Sequence, residues 1–245
     1  MAELRNAFNP RAPHFYKDPS WSASDAFCSE RRVESISQGL QSETDVTRVL
    51  SFFVGEFGDN LARILLNLAG VDQPRTDLES WVGSEWLSAA GVGIPRRRRS
   101  PDIIVTEREN IRNVLLIIEV KGNAQVNGRR GYCPVHGGLQ GYSNQIICYA
   151  GNCWSRADLA TVPRLTIGPD AHESIFGGWG RKGIVEEDID RYGLSEAFEA
   201  QRSAIEHWQF AGLRKFEARI KDLSPSGARS DALYVLSPWL ERIGV

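Results

Sequence analysis

Two stretches decide the reading of this chain: Ser100-Pro101-Asp102-Ile103-Ile104-Val105, and the run from Val114 through Leu115, Leu116, Ile117, Ile118, Glu119, Val120 and Lys121 to Gly122. The first is a turn-forming pair followed by an apolar triplet. The second is an unbroken β-branched and aliphatic segment closed by charge. Thr106-Glu107-Arg108-Glu109-Asn110 between them reads as a turn, so the two segments form a hairpin. Asp102 then begins one strand and Glu119 ends its partner. A segment as uniformly apolar as Val114–Ile118 suits a central strand covered on both faces. Side chains alternate along a strand, so Glu119 and Lys121 emerge together while Val120 points away.

The residue types at this edge suit phosphodiester hydrolysis. A hard cation such as Mg²⁺ takes oxygen ligands, typically one or two carboxylates plus water, and a nearby ammonium supports the attacking water and the developing charge. Asp102 and Glu119 supply the carboxylates, the Val120 carbonyl is a further oxygen, and Lys121 is the cation. Taken singly, an Asp after Pro is an ordinary turn residue and a Glu-x-Lys an ordinary strand rim. Together they place three charges against a buried hairpin, where charge is costly unless partnered or used.

SPDIIV…LLIIEVKG resembles the motif of the PD-(D/E)xK nuclease superfamily, to which many restriction endonucleases belong, read here as Pro101-Asp102 and Glu119-Val120-Lys121. The resemblance implies an α-β-β-β-α-β core, a central mixed sheet flanked by helices. It implies catalysis by Asp102, Glu119 and Lys121, with metal on Asp102, Glu119 and Val120. It further implies an acidic residue on the helix before the hairpin. Read as Ser42–Phe57, that helix offers Glu43 or Glu56, and Glu43 shares a stripe with Val46 and Leu50. After the hairpin, Gln145-Ile-Ile-Cys-Tyr149 is similar to the family's Q-x-x-x-Y helix, with Gln145 in support of the site.

Outward from the hairpin, residues 1–41 read as a polar arm rich in Ser, Asn and Pro, and residues 42–245 as one α/β (α+β) domain. Its core motifs fall in 42–150, with a helix-and-strand extension over 151–245. Asn60–Ala69 is a helix ended by Gly70. Trp81–Ala90 is a short helix or an edge strand. Gly128–Gly141 and residues 177–183 are glycine-rich loops, and Ser143–Tyr149 is a short helix ended by Gly151. Pro163–Ile167 reads as a strand, Leu194–Leu223 as an amphipathic helix in one or two pieces, and Ala232–Leu236 as a last strand.

Nucleic-acid contacts are expected at Arg96, Arg97, Arg98 and Arg99, at His136, and at Trp179, Arg181 and Lys182, where a stacking ring joins two cations. Cys133, His136, Cys148 and Cys153 form an alternative zinc set, although Cys148 also suits a buried apolar role.

The chain has 245 residues with 29 basic and 31 acidic side chains, net −2, and 42% hydrophobic residues. That length buries a core without help from disulfides or metal. A passive nucleic-acid coat is usually strongly basic, so near neutrality favours an enzyme with a local grip. No apolar run reaches the roughly 18 residues of a membrane span, and the polar amino terminus shows no secretory signal. A cytoplasmic protein with reduced thiols at its four cysteines is therefore expected. The functional expectation is a Mg²⁺-dependent DNA endonuclease of restriction or phage-defence type, with Mn²⁺ substituting and pairing as a homodimer on palindromic sites. The other readings are a non-catalytic nucleic-acid or protein-binding module on the same fold, or a nuclease for RNA or branched DNA.

Overall fold

In the computed structural model of the protein, the described residues are 58–92, 100–120, 129–130, 142–143, 145–151, 159–168, 189–191, 193–223 and 237. The expected helix Ser42–Phe57, the glycine-rich loop Gly128–Gly141 apart from residues 129–130, the whole of residues 177–183 and the expected strand Ala232–Leu236 lie outside them.

The first described helix, α1 (residues 58–68), buries Leu61, Ala62, Leu65, Leu66 and Leu68. Their spacing of three and four residues makes one apolar stripe. It ends as the sequence predicts. Gly70 takes φ +66°, the Val71 N–H reaches Leu66 O at 3.0 Å, and the Gly70 N–H reaches Asn67 O at 3.1 Å. These two bonds satisfy carbonyls that a helix end otherwise leaves bare. Asp59 then clips the helix to the sheet, accepting the Leu78 N–H at 2.7 Å on Oδ1 and pairing with Arg63 at 2.7 Å on Oδ2.

The chain continues through β1 (Leu78–Val82), α2 (Gly83–Ala89), β2 (Ile103–Glu107) and β3 (Val114–Val120). Next come a small antiparallel ribbon of β4 (Arg129–Arg130) and β5 (Tyr142–Ser143), then α3 (Gln145–Ala150) and β6 (Arg164–Gly168). The last described elements are α4 (Ser195–Glu206), β7 (Gln209–Gly212) and α5 (Leu213–Lys221). Five strands form one mixed sheet in the order β1-β2-β3-β6-β7. The first three are antiparallel; β3, β6 and β7 are parallel. This is the expected α/β class, a mixed sheet with flanking helices.

The 2–3 hairpin forms where the apolar runs predict it, with Ile103 opposite Ile118 and a register shift between Val105 and Thr106. β3 is central and buried on both faces except at Leu115. On one face Ile104 and Ile117 pack with Trp86, Leu87, Ile146, Ile147, Tyr149, Phe198 and Trp208, a layer that binds α2, α3 and α4 to the sheet.

Three readings change. Trp81–Ala90 divides, with Trp81 in the edge strand β1 and Gly83–Ala89 helical, so the third antiparallel strand precedes the hairpin. Tyr142–Ser143 pairs with the β4 backbone, so Ser143 belongs to that ribbon and helix begins at Gln145. The expected helix Leu194–Leu223 is interrupted by β7, because Gln209–Gly212 gains a parallel partner in Leu165–Gly168. Helical periodicity within a short segment cannot register that distant partner. No helix among the described residues is long and apolar enough to cross a membrane.

Candidate active site

The hairpin register sets Asp102 across from Glu119. The Asp102 N–H donates to Ile118 O at 3.2 Å, and Asp102 Oδ2 accepts the Val120 N–H at 2.7 Å. Asp102 thus bonds to the residues on both sides of Glu119. Glu119 is buried, 4% exposed, and follows Ile117 by two residues, so it belongs to the sheet face covered by α3. Its parallel register partner on β6 is Thr166, also buried, whose Oγ1 accepts the Trp208 indole N–H at 3.1 Å. Val120 is fully buried at the end of β3.

Asp102 is held at its carbonyl as well. The Gly83 N–H, at the start of α2, donates to Asp102 O at 3.0 Å. Pro101 lies so close to Gly83 that a Cβ there would stand 1.9 Å from Pro101 O and 2.7 Å from Pro101 C. Only a residue without a side chain admits that approach. One residue earlier, Ser100 O accepts the Tyr149 hydroxyl of α3 at 2.8 Å. The α3 carboxyl end is fixed in turn by Arg164, whose buried guanidinium donates to Tyr149 O at 3.2 Å, Val162 O at 2.7 Å and Leu159 O at 3.2 Å. A planar fork with five N–H donors suits this convergence of carbonyls. The turn before β2 is therefore braced by α2 on one side and α3 on the other.

Of the sequence-predicted site residues, Asp102, Glu119 and Val120 come together at one end of β3. Gln145 opens α3, one turn ahead of Tyr149. Glu43, Glu56, Arg96, Arg97, Arg98, Arg99, Lys121, His136, Trp179, Arg181 and Lys182 lie outside the described residues, as does the Gln145 side chain. Among the described residues, no group of three or more His, Cys, Asp or Glu side chains gathers as a metal cluster. Cys148, buried in α3, is disulfide-bonded, which departs from the expected reduced thiols. A sulfur in a disulfide is not available as a zinc-binding thiolate, so the four-residue zinc set loses Cys148.

Gly83, Thr166, Arg164 and Trp208 also shape this region, and no sequence motif singles them out. Thr166 and Arg164 carried a signal, being polar residues inside a short apolar strand. Gly83 carried none beyond its place between a strand and a helix.

The two carboxylates are hard oxygen donors of the type that Mg²⁺ takes, and the Val120 N–H fixes one oxygen of Asp102. No protein-family model, no curated protein and no solved structure matches the chain.

Proposed function

We propose that the protein is a Mg²⁺-dependent DNA endonuclease of the restriction or phage-defence type, built on a restriction-endonuclease-like core. The observation that carries the reading is the pairing of Asp102 with the flanks of Glu119 at the end of a buried central strand. The order of the described elements supports it in part: three antiparallel strands, α3 and a parallel strand follow one another as in the β-β-β-α-β portion of that core, with α2 and the β4–β5 ribbon as additions.

In this mechanism Asp102 and Glu119 would hold the cation, with the Val120 carbonyl available as a third oxygen donor. When bound, Mg²⁺ supplies Lewis acidity at the phosphate and makes water easier to deprotonate. Lys121 orients the attacking water and assists loss of its proton, and Glu43 and Gln145 support this arrangement. Glu119 sits against an apolar layer that excludes bulk water from one side, which strengthens charge interactions there.

Supercoiled plasmid incubated with the protein and Mg²⁺ is expected to be nicked or linearised, with activity retained in Mn²⁺ and lost in EDTA. Glu119→Ala and Lys121→Ala should each lower the rate by about a hundredfold or more, the scale of a lost electrostatic or proton-transfer group. Undiminished cutting by both variants would overturn the site.

A further inference from the structure

We propose that the outward face of α5, formed by Lys215 and Arg219 with Arg214 and Lys221 at its margins, is a contact surface for the phosphate backbone of duplex DNA. The proposal rests on the nuclease reading and adds where the substrate lies.

Charge on the two long carboxyl-terminal helices is sorted by sign. α4 carries Glu196, Glu199 and Glu206 against Arg202, a net of −2. α5 carries Arg214, Lys215, Arg219 and Lys221 against Glu217 alone, a net of +3 on nine residues, in a chain whose overall charge is −2. Moreover, the one acid of α5 is directed inward. Glu217 is buried beside the anchoring residues Leu213, Phe216 and Ile220, and pairs with Lys221 at 2.8 Å and Arg214 at 3.5 Å. Lys215, Ala218 and Arg219 are left on the solvent side, with small Ala218 beside the two cations. Arg219 also lies 3.8 Å from Asp222, but both side chains are at least half exposed and such a pair is weak and screened.

The position of α5 matters as much as its charge. Val120, Ile167 and Ala211 share a register row across parallel strands, and α5 starts directly after Gly212 with no loop. Its first turn therefore stands at the sheet end where Asp102 and Glu119 meet, two strand spacings or about 10 Å from β3. An acidic cutting centre repels phosphate, so the grip on DNA has to come from cations beside it, and contacts of this kind position a duplex without reading its sequence.

The test is binding of a fluorescein-labelled DNA duplex to the full chain, followed by anisotropy over a series of salt concentrations with Ca²⁺ replacing Mg²⁺. For Lys215→Glu/Arg219→Glu we expect affinity to fall at least about tenfold. The slope of log K against log salt should become shallower by about 2, close to 0.9 per lost phosphate contact. Lys215→Gln/Arg219→Gln, which removes charge without adding any, should shift both quantities the same way and guards against misfolding of the reversal. Unchanged affinity and salt slope in folded variants, with wild type binding and cutting DNA, would overturn the surface and leave the nuclease reading intact. Wild type that neither binds nor cuts DNA would overturn both. Tighter binding to poly-glutamate than to the duplex would likewise overturn the surface as a DNA contact.

Discussion

The Val120 main-chain N–H donates to Asp102 Oδ2 at 2.7 Å, so one candidate metal ligand is held by the backbone of the strand that carries the other. Val120 is fully buried, which gives that bond weight. Removing the acceptor leaves a buried N–H unsatisfied, a loss of about 1–3 kcal/mol. Asp102→Ala should therefore destabilise the fold by that amount, whereas Asp102→Asn keeps an acceptor oxygen and should cost under about 1 kcal/mol. Both should lose Mg²⁺ binding in calorimetry. Equal destabilisation by the two variants in thermal denaturation would remove the bond from the account.

A second prediction concerns Gly83. Its virtual Cβ meets the backbone of Pro101, which cannot move aside as a side-chain tip would. Gly83→Ala should cost about 1–3 kcal/mol through overpacking, and should also weaken Mg²⁺ binding by displacing Asp102. Gly70→Ala is the control. Its φ of +66° makes alanine strained by roughly 1 kcal/mol, but its Cβ would meet open space. Melting temperature should fall in both variants, with metal binding altered only at Gly83.

Glu217 predicts a pH dependence of stability. Burial alone would raise its carboxyl, but hydrogen bonds from Lys221 and Ser237 and the charges of Lys221 and Arg214 outweigh burial and hold it below the ordinary carboxylate range. The folded state then binds the proton less readily than the unfolded chain, so stability rises with pH across the window between the two values. The contribution is complete above the unfolded value of about 4.3 and disappears as pH falls through the lowered folded value. Glu217→Gln should be less stable than wild type by about 1–3 kcal/mol at neutral pH. Denaturant melts should show the gap closing below about pH 4; a constant gap at every pH would refute the assignment.

The Cys148 disulfide makes a countable prediction. The chain has four cysteines, so one disulfide leaves no more than two thiols. Alkylation of the unreduced, denatured protein followed by intact-mass measurement should add at most two labels, and after reduction four. Four labels without reductant would exclude the bond.

Much of the site was legible because the information is local. Val114–Val120 announces a doubly covered strand by composition, and its observed limits coincide with that run. Asp102 and Glu119 could be set together because a short turn leaves a hairpin little choice of pairing. Gly70 ended α1 for a reason visible in one residue. The segment Gln209–Gly212 misled because its helical neighbours impose their period, while its strand partner lies more than forty residues earlier.

By itself, then, the sequence determined the hairpin, its central place in a mixed sheet, and the two carboxylates at its end. Apolar runs and two-residue alternation act over a few neighbouring residues. Only the tertiary structure decided how Asp102 is held: Gly83 against Pro101, Tyr149 on Ser100 O across 49 residues, and Val120 on Asp102 Oδ2 across 18. It also sorted the carboxyl-terminal segment into an acidic helix, a strand and a basic helix. Such contacts depend on which surfaces the folded chain brings within hydrogen-bond reach. A pattern read along the chain carries no record of that distance.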